Sequence, residues 1–155
     1  MKTVAQIKEL AKTRLEEAEI LCASGKYDGA FYLAGYSVEL MLKAKVCEHF
    51  RIDNLFDKNG CAIQGIGDLR KVVETHDINL LLIFSGLEEK FRKAKIKNTK
   101  LRNAYRFFTA STGDKTDWNE QIRYLPINSK SENDVKEFIN LLGDEEGLLK
   151  WIVQN

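Results

Sequence analysis

Proline is nearly missing from this 155-residue chain; Pro126 is the one instance. Nothing upstream of it forces a helix to stop, because proline is the residue that removes a helical N–H and clashes with the preceding turn. Histidine is almost as scarce, with His49 and His76 alone. The three cysteines, Cys22, Cys47 and Cys61, are odd in number and form no C-x-x-C pair. That argues against a zinc site or a disulfide framework and for free thiols in a reducing compartment. No metal or cofactor is expected. A charge excess is also lacking. At a net +1 the whole molecule is no electrostatic binder of nucleic acid, and any basic surface must be local. Long apolar runs are absent too. The longest nearly uncharged run, residues 29–38, is too short and too polar to span a bilayer. The opening stretch MKTVAQIKELAKTRLEEAE is amphipathic and lacks the continuous apolar core of a signal peptide. The expected address is the cytoplasm, with no membrane partner.

Alternation of apolar and polar residues does not persist over any strand-like length. There is no fixed-period repeat and no low-complexity tract. What is present is helical periodicity in a globular composition, with 44% apolar and 30% charged residues. A first helix is predicted from about Thr3 to Ser24, on Val4, Ile7, Ala11, Ala18 and Leu21, with Gly25 marking its end. A second runs from about Tyr27 to Phe50 and is apolar on almost every side, so it belongs among neighbours. Its conspicuous polar residues, Glu39 and Lys43, stand four apart and can pair on one face.

Residues 51–67 read as a loop, broken by Asn54, Asn59, Gly60 and Gly65. A further helical turn is expected at residues 68–74. Thr75 or Asp77 then caps a third helix, Ile78 to Phe84. A long fourth helix is predicted from Leu87 to about Thr109. After a Ser-Thr-Gly break, residues 117–124 either resume it or form a separate turn. Ser131 caps a last helix with Val135, Phe138, Leu142, Leu149 and Ile152 on one stripe, weakened in its middle by Gly143 and Gly147. The fold class is all-α: an up-and-down bundle of four long helices plus short ones.

Three landmarks in order carry a resemblance. The first is Tyr27-Asp28-Gly29-Ala30 through Glu39-Leu40-Met41-Leu42-Lys43-Ala44. The second is Thr75-His76-Asp77-Ile78, and the third is Arg123-Tyr124-Leu125-Pro126. In that order, with those intervening helices, the chain resembles the HEPN domain, a family of small α-helical proteins. The resemblance implies a single HEPN-like helical domain over residues 1–155, often dimeric. Many members are metal-independent ribonucleases of toxin–antitoxin, phage-defence or stress systems. Others are inert partners, commonly of a small nucleotidyltransferase. The ribonuclease members carry an Arg followed after four to six residues by a His, late in the bundle. The His moves protons near neutral pH, and the Arg holds the phosphate.

This chain departs from that pattern. Arg102-Asn103-Ala104-Tyr105-Arg106-Phe107 begins as the family motif often begins, but Phe107 stands where the His would be, and Phe cannot move a proton. The leading expectation is therefore a HEPN-family module that works in a complex with RNA, nucleotides or a nucleotidyltransferase-type partner, as a homodimer and without ribonuclease activity of its own. One alternative is an active metal-independent endoribonuclease using His76 with Arg70 or Arg123. The other is a purely structural helical adaptor.

Four groups of residues are candidates for the site. His76, Asp77, Arg123 and Tyr124 form either a phosphate or nucleotide pocket at the start of the third helix or an Asp77–Arg123 ion pair beside a helix-fixing His. Glu39 and Lys43 either line a cleft and orient a catalytic Arg or make a simple salt bridge. Residues 90–106 hold a basic stripe in which Lys93, Lys97, Lys100, Arg102 and Arg106 are the candidate nucleic-acid contacts. Against that stands a solvated face balanced by acids such as Glu16, Glu17 and Glu19. Trp118 and Trp151 are expected to pack in the core or at its edge, with base stacking open only to Trp118. The pattern predicts a far-ultraviolet circular dichroism spectrum with helix above about half of all residues. A strand-dominated spectrum would reject the fold class.

Overall fold

The computed structural model describes residues 3–60, 62–109 and 117–155. Among them the chain forms eight α-helices and one short 3-10 helix, with no strand. Helix α1 spans Val4–Ala23 and opens with a capping box. The Thr3 hydroxyl accepts from the Gln6 N–H at 3.3 Å, and the Gln6 side chain accepts from the Thr3 N–H at 3.2 Å. It closes at Gly25, whose φ of +72° suits glycine. The Gly25 and Lys26 N–H groups return to the carbonyls of Cys22 and Leu21. This tight turn folds α2, Tyr27–Phe50, back along α1 as an antiparallel hairpin.

Helix α2 is the axis of the molecule. It is buried along nearly its whole length and packs against α1 and four later elements. The sequence predicted both its ends. Helices α3 (Ile66–Val73) and α4 (Ile78–Phe84) follow. The Asp77 carboxylate caps α4 by accepting from the N–H groups of Asn79 and Leu80 at 2.8 and 3.2 Å. Arg70 of α3 is buried. Its guanidinium donates to the carbonyls of Leu55 and Asp57 at 2.6 and 2.9 Å, tying down the loop before α3.

The long helix expected over residues 87–109 is two helices, α5 (Glu88–Lys97) and α6 (Thr99–Arg106). Asn98 sits between them in an extended conformation and its side chain accepts from the Leu101 N–H, so it starts a new helix instead of continuing the old one. The four-long-helix description is corrected accordingly: α1 and α2 are the long helices among the described residues. Residues 111–113, the expected Ser-Thr-Gly break, lie outside them, as does Cys61. A 3-10 helix, Glu120–Tyr124, supplies the separate turn, capped by Asn119. The last helix also divides, into α7 (Glu132–Gly143) and α8 (Leu148–Gln154), at the Gly143–Gly147 link. Ser131 caps α7, and Val135, Phe138, Leu142, Leu149 and Ile152 are all buried. Cys22 and Cys47 are free and buried. Burial pushes the Cys47 thiol up to about 11, against a lowering hydrogen bond from the Leu55 backbone.

Aromatic rings fill the space between α2 and the C-terminal half. Phe31 and Phe138 lie 4.8 Å apart between centroids, and Phe107 and Phe138 4.7 Å. Gly35 is where α2 admits a neighbour. A Cβ built there would stand 2.2 Å from the Trp118 indole. The close neighbour at this glycine is an indole ring and not another helix. The Trp118 ring N–H donates to the Tyr32 carbonyl at 3.0 Å, and the side chain is buried. That removes Trp118 from base stacking. Trp151 packs on Phe91 with centroids 5.0 Å apart.

Gly35→Leu is expected to evict the indole and destabilise the fold by about 1–3 kcal/mol through overpacking. Chemical denaturation followed by tryptophan fluorescence measures it. A variant as stable as the parent, with unchanged emission, would show that the ring is not seated against α2.

Candidate functional site

The site begins with a charge in the wrong place for an apolar helix. Glu39 lies midway along α2 with only 1% of its side chain exposed. An ionised carboxylate at that depth needs partners, because its lost hydration is worth several kcal/mol. Two are supplied. The Lys43 ammonium, one turn on, donates to Glu39 Oε1 at 2.6 Å. His76 Nδ1 lies 3.0 Å from both carboxylate oxygens. A carboxylate only accepts, so a ring hydrogen belongs on Nδ1, and Nε2 makes no hydrogen bond among the described residues. The expected Glu39–Lys43 pair is present, but the group it orients is a histidine and not an arginine.

His76 is half exposed and lines a cleft of about 470 Å³. The walls come from the α3–α4 link, the first turn of α4, Phe108, and residues 117–120 leading into the 3-10 helix. Four acidic residues, Glu74, Asp77, Asp117 and Glu120, line this space, and among the described residues no lysine or arginine does. The hydrogen bond from Gln121 holds the Glu120 carboxyl below the usual range, against desolvation. Arg123, and His76 when it carries a proton on both nitrogens, add to the lowering, so both lie within electrostatic reach of Glu120.

The structure thus gathers His76, Asp77 and Glu120 at one cleft, with Arg123 at its edge. It does not make the Asp77–Arg123 ion pair: among the described residues Asp77 is engaged in capping α4. Arg123 instead lies over the Tyr124 ring, 4.9 Å from its centroid. The Tyr124 phenol beside it, and a hydrogen bond with Tyr32, push the Arg123 guanidinium further up. Arg70 is directed at the loop carbonyls described above and is no partner for His76.

The basic stripe is partly spent on its own neighbours. Lys93 pairs with Glu89 at 2.8 Å. Lys100 pairs with Asp144 at 2.8 Å and Glu146 at 3.6 Å, at the α7–α8 link. Lys95 lies 3.8 Å from the Tyr105 ring centroid, and its partial burial lowers its pKa. Arg102 donates to the Thr99 hydroxyl. Arg106 shares a cavity of about 210 Å³ with Asp134 and Glu137. The balancing acids are therefore those of α5, α7 and the α7–α8 link, not Glu16, Glu17 and Glu19; Glu17 pairs with Arg14. Arg92 and Lys97 are exposed and make no ion pair among the described residues. Phe107 is buried against Phe31 and Phe138.

The family model described as HEPN domain matches residues 4–53. The resemblance is to HEPN. The HEPN match covers α1, α2 and the turn that follows, the hairpin that carries Glu39 and Lys43. The Thr75-His76-Asp77 and Arg123–Pro126 landmarks lie beyond it. No curated protein and no solved structure matches the chain. Among the described residues no cluster of His, Cys, Asp or Glu is arranged to hold a metal ion, and no helix is long and apolar enough to cross a membrane.

Sequence reasoning missed the His76–Glu39 pair because the two residues are 37 apart. One signal was available: a glutamate in an otherwise apolar helix has to find a donor. Glu39→Leu is expected to strand the Lys43 ammonium and destabilise the fold by about 3–5 kcal/mol. Glu39→Leu combined with Lys43→Leu should cost much less. Urea midpoints for both variants check this, and equal losses would show that the buried charge pair is not the source.

Proposed function

We propose that this chain is a single-domain HEPN-family module that works in a complex and does not cleave RNA itself. The observation that carries the reading is Phe107. The family's ribonuclease pattern needs a proton-transfer group there, and this chain has a buried ring within an aromatic cluster. The cleft supports the same reading. Among the described residues, a phosphate entering it would meet four acidic residues, each repelling by about 1–4 kcal/mol at close range, more than one arginine at the edge offsets. The partners consistent with the family are a second copy of the chain, a nucleotidyltransferase-type protein, or RNA held on the exposed part of α5–α6. A toxin–antitoxin, defence or stress setting and a cytoplasmic location follow from the same family reading.

One observation favours a second reading, the metal-independent endoribonuclease. The His76–Glu39 pair fixes a ring beside a cleft, with Nε2 making no hydrogen bond among the described residues, an arrangement suited to general acid–base chemistry. In that reading Arg123, not Arg70, is the phosphate-binding arginine. The assay that separates the two is cleavage of a mixed RNA pool by the pure protein with chelator present. No cleavage is expected, and His76→Ala should be indistinguishable from the parent. Metal-independent cutting that disappears in His76→Ala would install the second reading in place of the first.

A further inference from the structure

Three consecutive features of one short segment are unusual together. The 3-10 helix begins at Glu120 in the acidic cleft. It ends in an exposed apolar run in which Tyr124 is 71%, Leu125 48% and Ile127 88% exposed. The turn after it is pinned: the Asp28 carboxylate of α2 accepts from the N–H groups of Asn128 and Lys130 at 2.5 and 2.8 Å. The apolar run is therefore presented in a set conformation, a condition that lowers the entropy cost of covering it. A contiguous apolar patch bordered by charge is the usual mark of a protein contact.

The chain also carries a surface of complementary chemistry. Helix α5 exposes Ile96, at 72%. Arg92 and Lys93 stand four and three residues before it on the same face, and Lys97 follows. An apolar residue among cations faces outward on α5; apolar residues with Arg123 on one side and the acidic residues of the cleft on the other face outward at the cleft. A chain of net charge +1 that separates its charges in this way can satisfy each surface with the other from a second copy.

Resting on the reading that the chain works in a complex, we propose that α5 of one copy docks on the cleft edge and the Tyr124–Ile127 run of another. Ile96 meets Tyr124, Leu125 and Ile127, while Arg92 and Lys97 meet Glu74 and Glu120. A two-fold axis makes the contact twice and closes the pair as a dimer. Any RNA held by Arg92 and Lys97 then competes with self-association.

The test is a charge swap read by sedimentation velocity over a range of protein and salt concentrations. The parent should dimerise, and more weakly as salt rises. Arg92→Glu with Lys97→Glu, and separately Glu74→Lys with Glu120→Lys, should each weaken the dimer by about tenfold or more, since like charges then face each other. Mixing the two variants should restore it, because both contacts of the mixed pair regain opposite charges. That recovery also shows that each variant is folded. Ile127→Asp should dissociate the parent without changing its circular dichroism. A dimer indifferent to all these changes overturns the proposed interface and leaves the complex-forming reading intact. A parent that stays monomeric at every concentration also overturns it, and the RNA cleavage assay still decides the underlying reading by itself.

Discussion

A carboxylate buried in the central helix dictates much of the local architecture. Glu39 has almost no exposure, so the fold must bring donors to it or lose stability. Lys43 comes from the same helix and needs only helical geometry. His76 comes from the link between α3 and α4, and its hydrogen bond fixes how that link lies across α2. The start of α4, and with it one wall of the cleft, is positioned by this requirement. The price of the buried charge is offset by a defined register between α2 and the α3–α4 link, which apolar packing alone would specify less sharply.

The second constraint is volume. Gly35 leaves a gap on α2 that the Trp118 ring fills, and the indole hydrogen bond to Tyr32 fixes the ring's orientation. The segment holding Trp118 also holds Asp117, Asn119 and Glu120, the opposite wall of the cleft. So one wall is positioned by electrostatics at Glu39 and the other by packing at Gly35, four residues apart on the same helix. The cleft is a consequence of where α2 carries its least helix-like and its least apolar residues.

Legibility in the sequence followed the range of the interaction. The second helix was readable at both ends, because its apolar periodicity and its glycine entry turn are local. The Ser131 cap was readable for the same reason, as were the stripe from Val135 to Ile152 and a cap at Thr75 or Asp77, of which the structure uses Asp77. Pairings that depend on tertiary approach were not. Nothing in the local sequence says that Arg70 serves the carbonyls of residues 55 and 57, or that His76 faces Glu39 and not Arg123. The Asn98 break sits between: asparagine followed by threonine is a cap signal, but strong helical periodicity on both sides hid it. The acid character of the cleft was also illegible, since its four carboxylates come from positions spread over residues 74 to 120.

The Asp28 clamp has a consequence for how the molecule assembles and comes apart. It joins the first turn of α2 to backbone groups a hundred residues later. Closing a loop of that size is entropically costly and is repaid only when both ends are already ordered. The α1–α2 hairpin, built from neighbouring residues, has no such delay. The clamp is therefore expected to form late in folding and to open early under stress. Amide hydrogens of Asn128 and Lys130 report on that opening directly. Exchange there faster than in α1 and α2 would mark a boundary between the N-terminal hairpin and the C-terminal half.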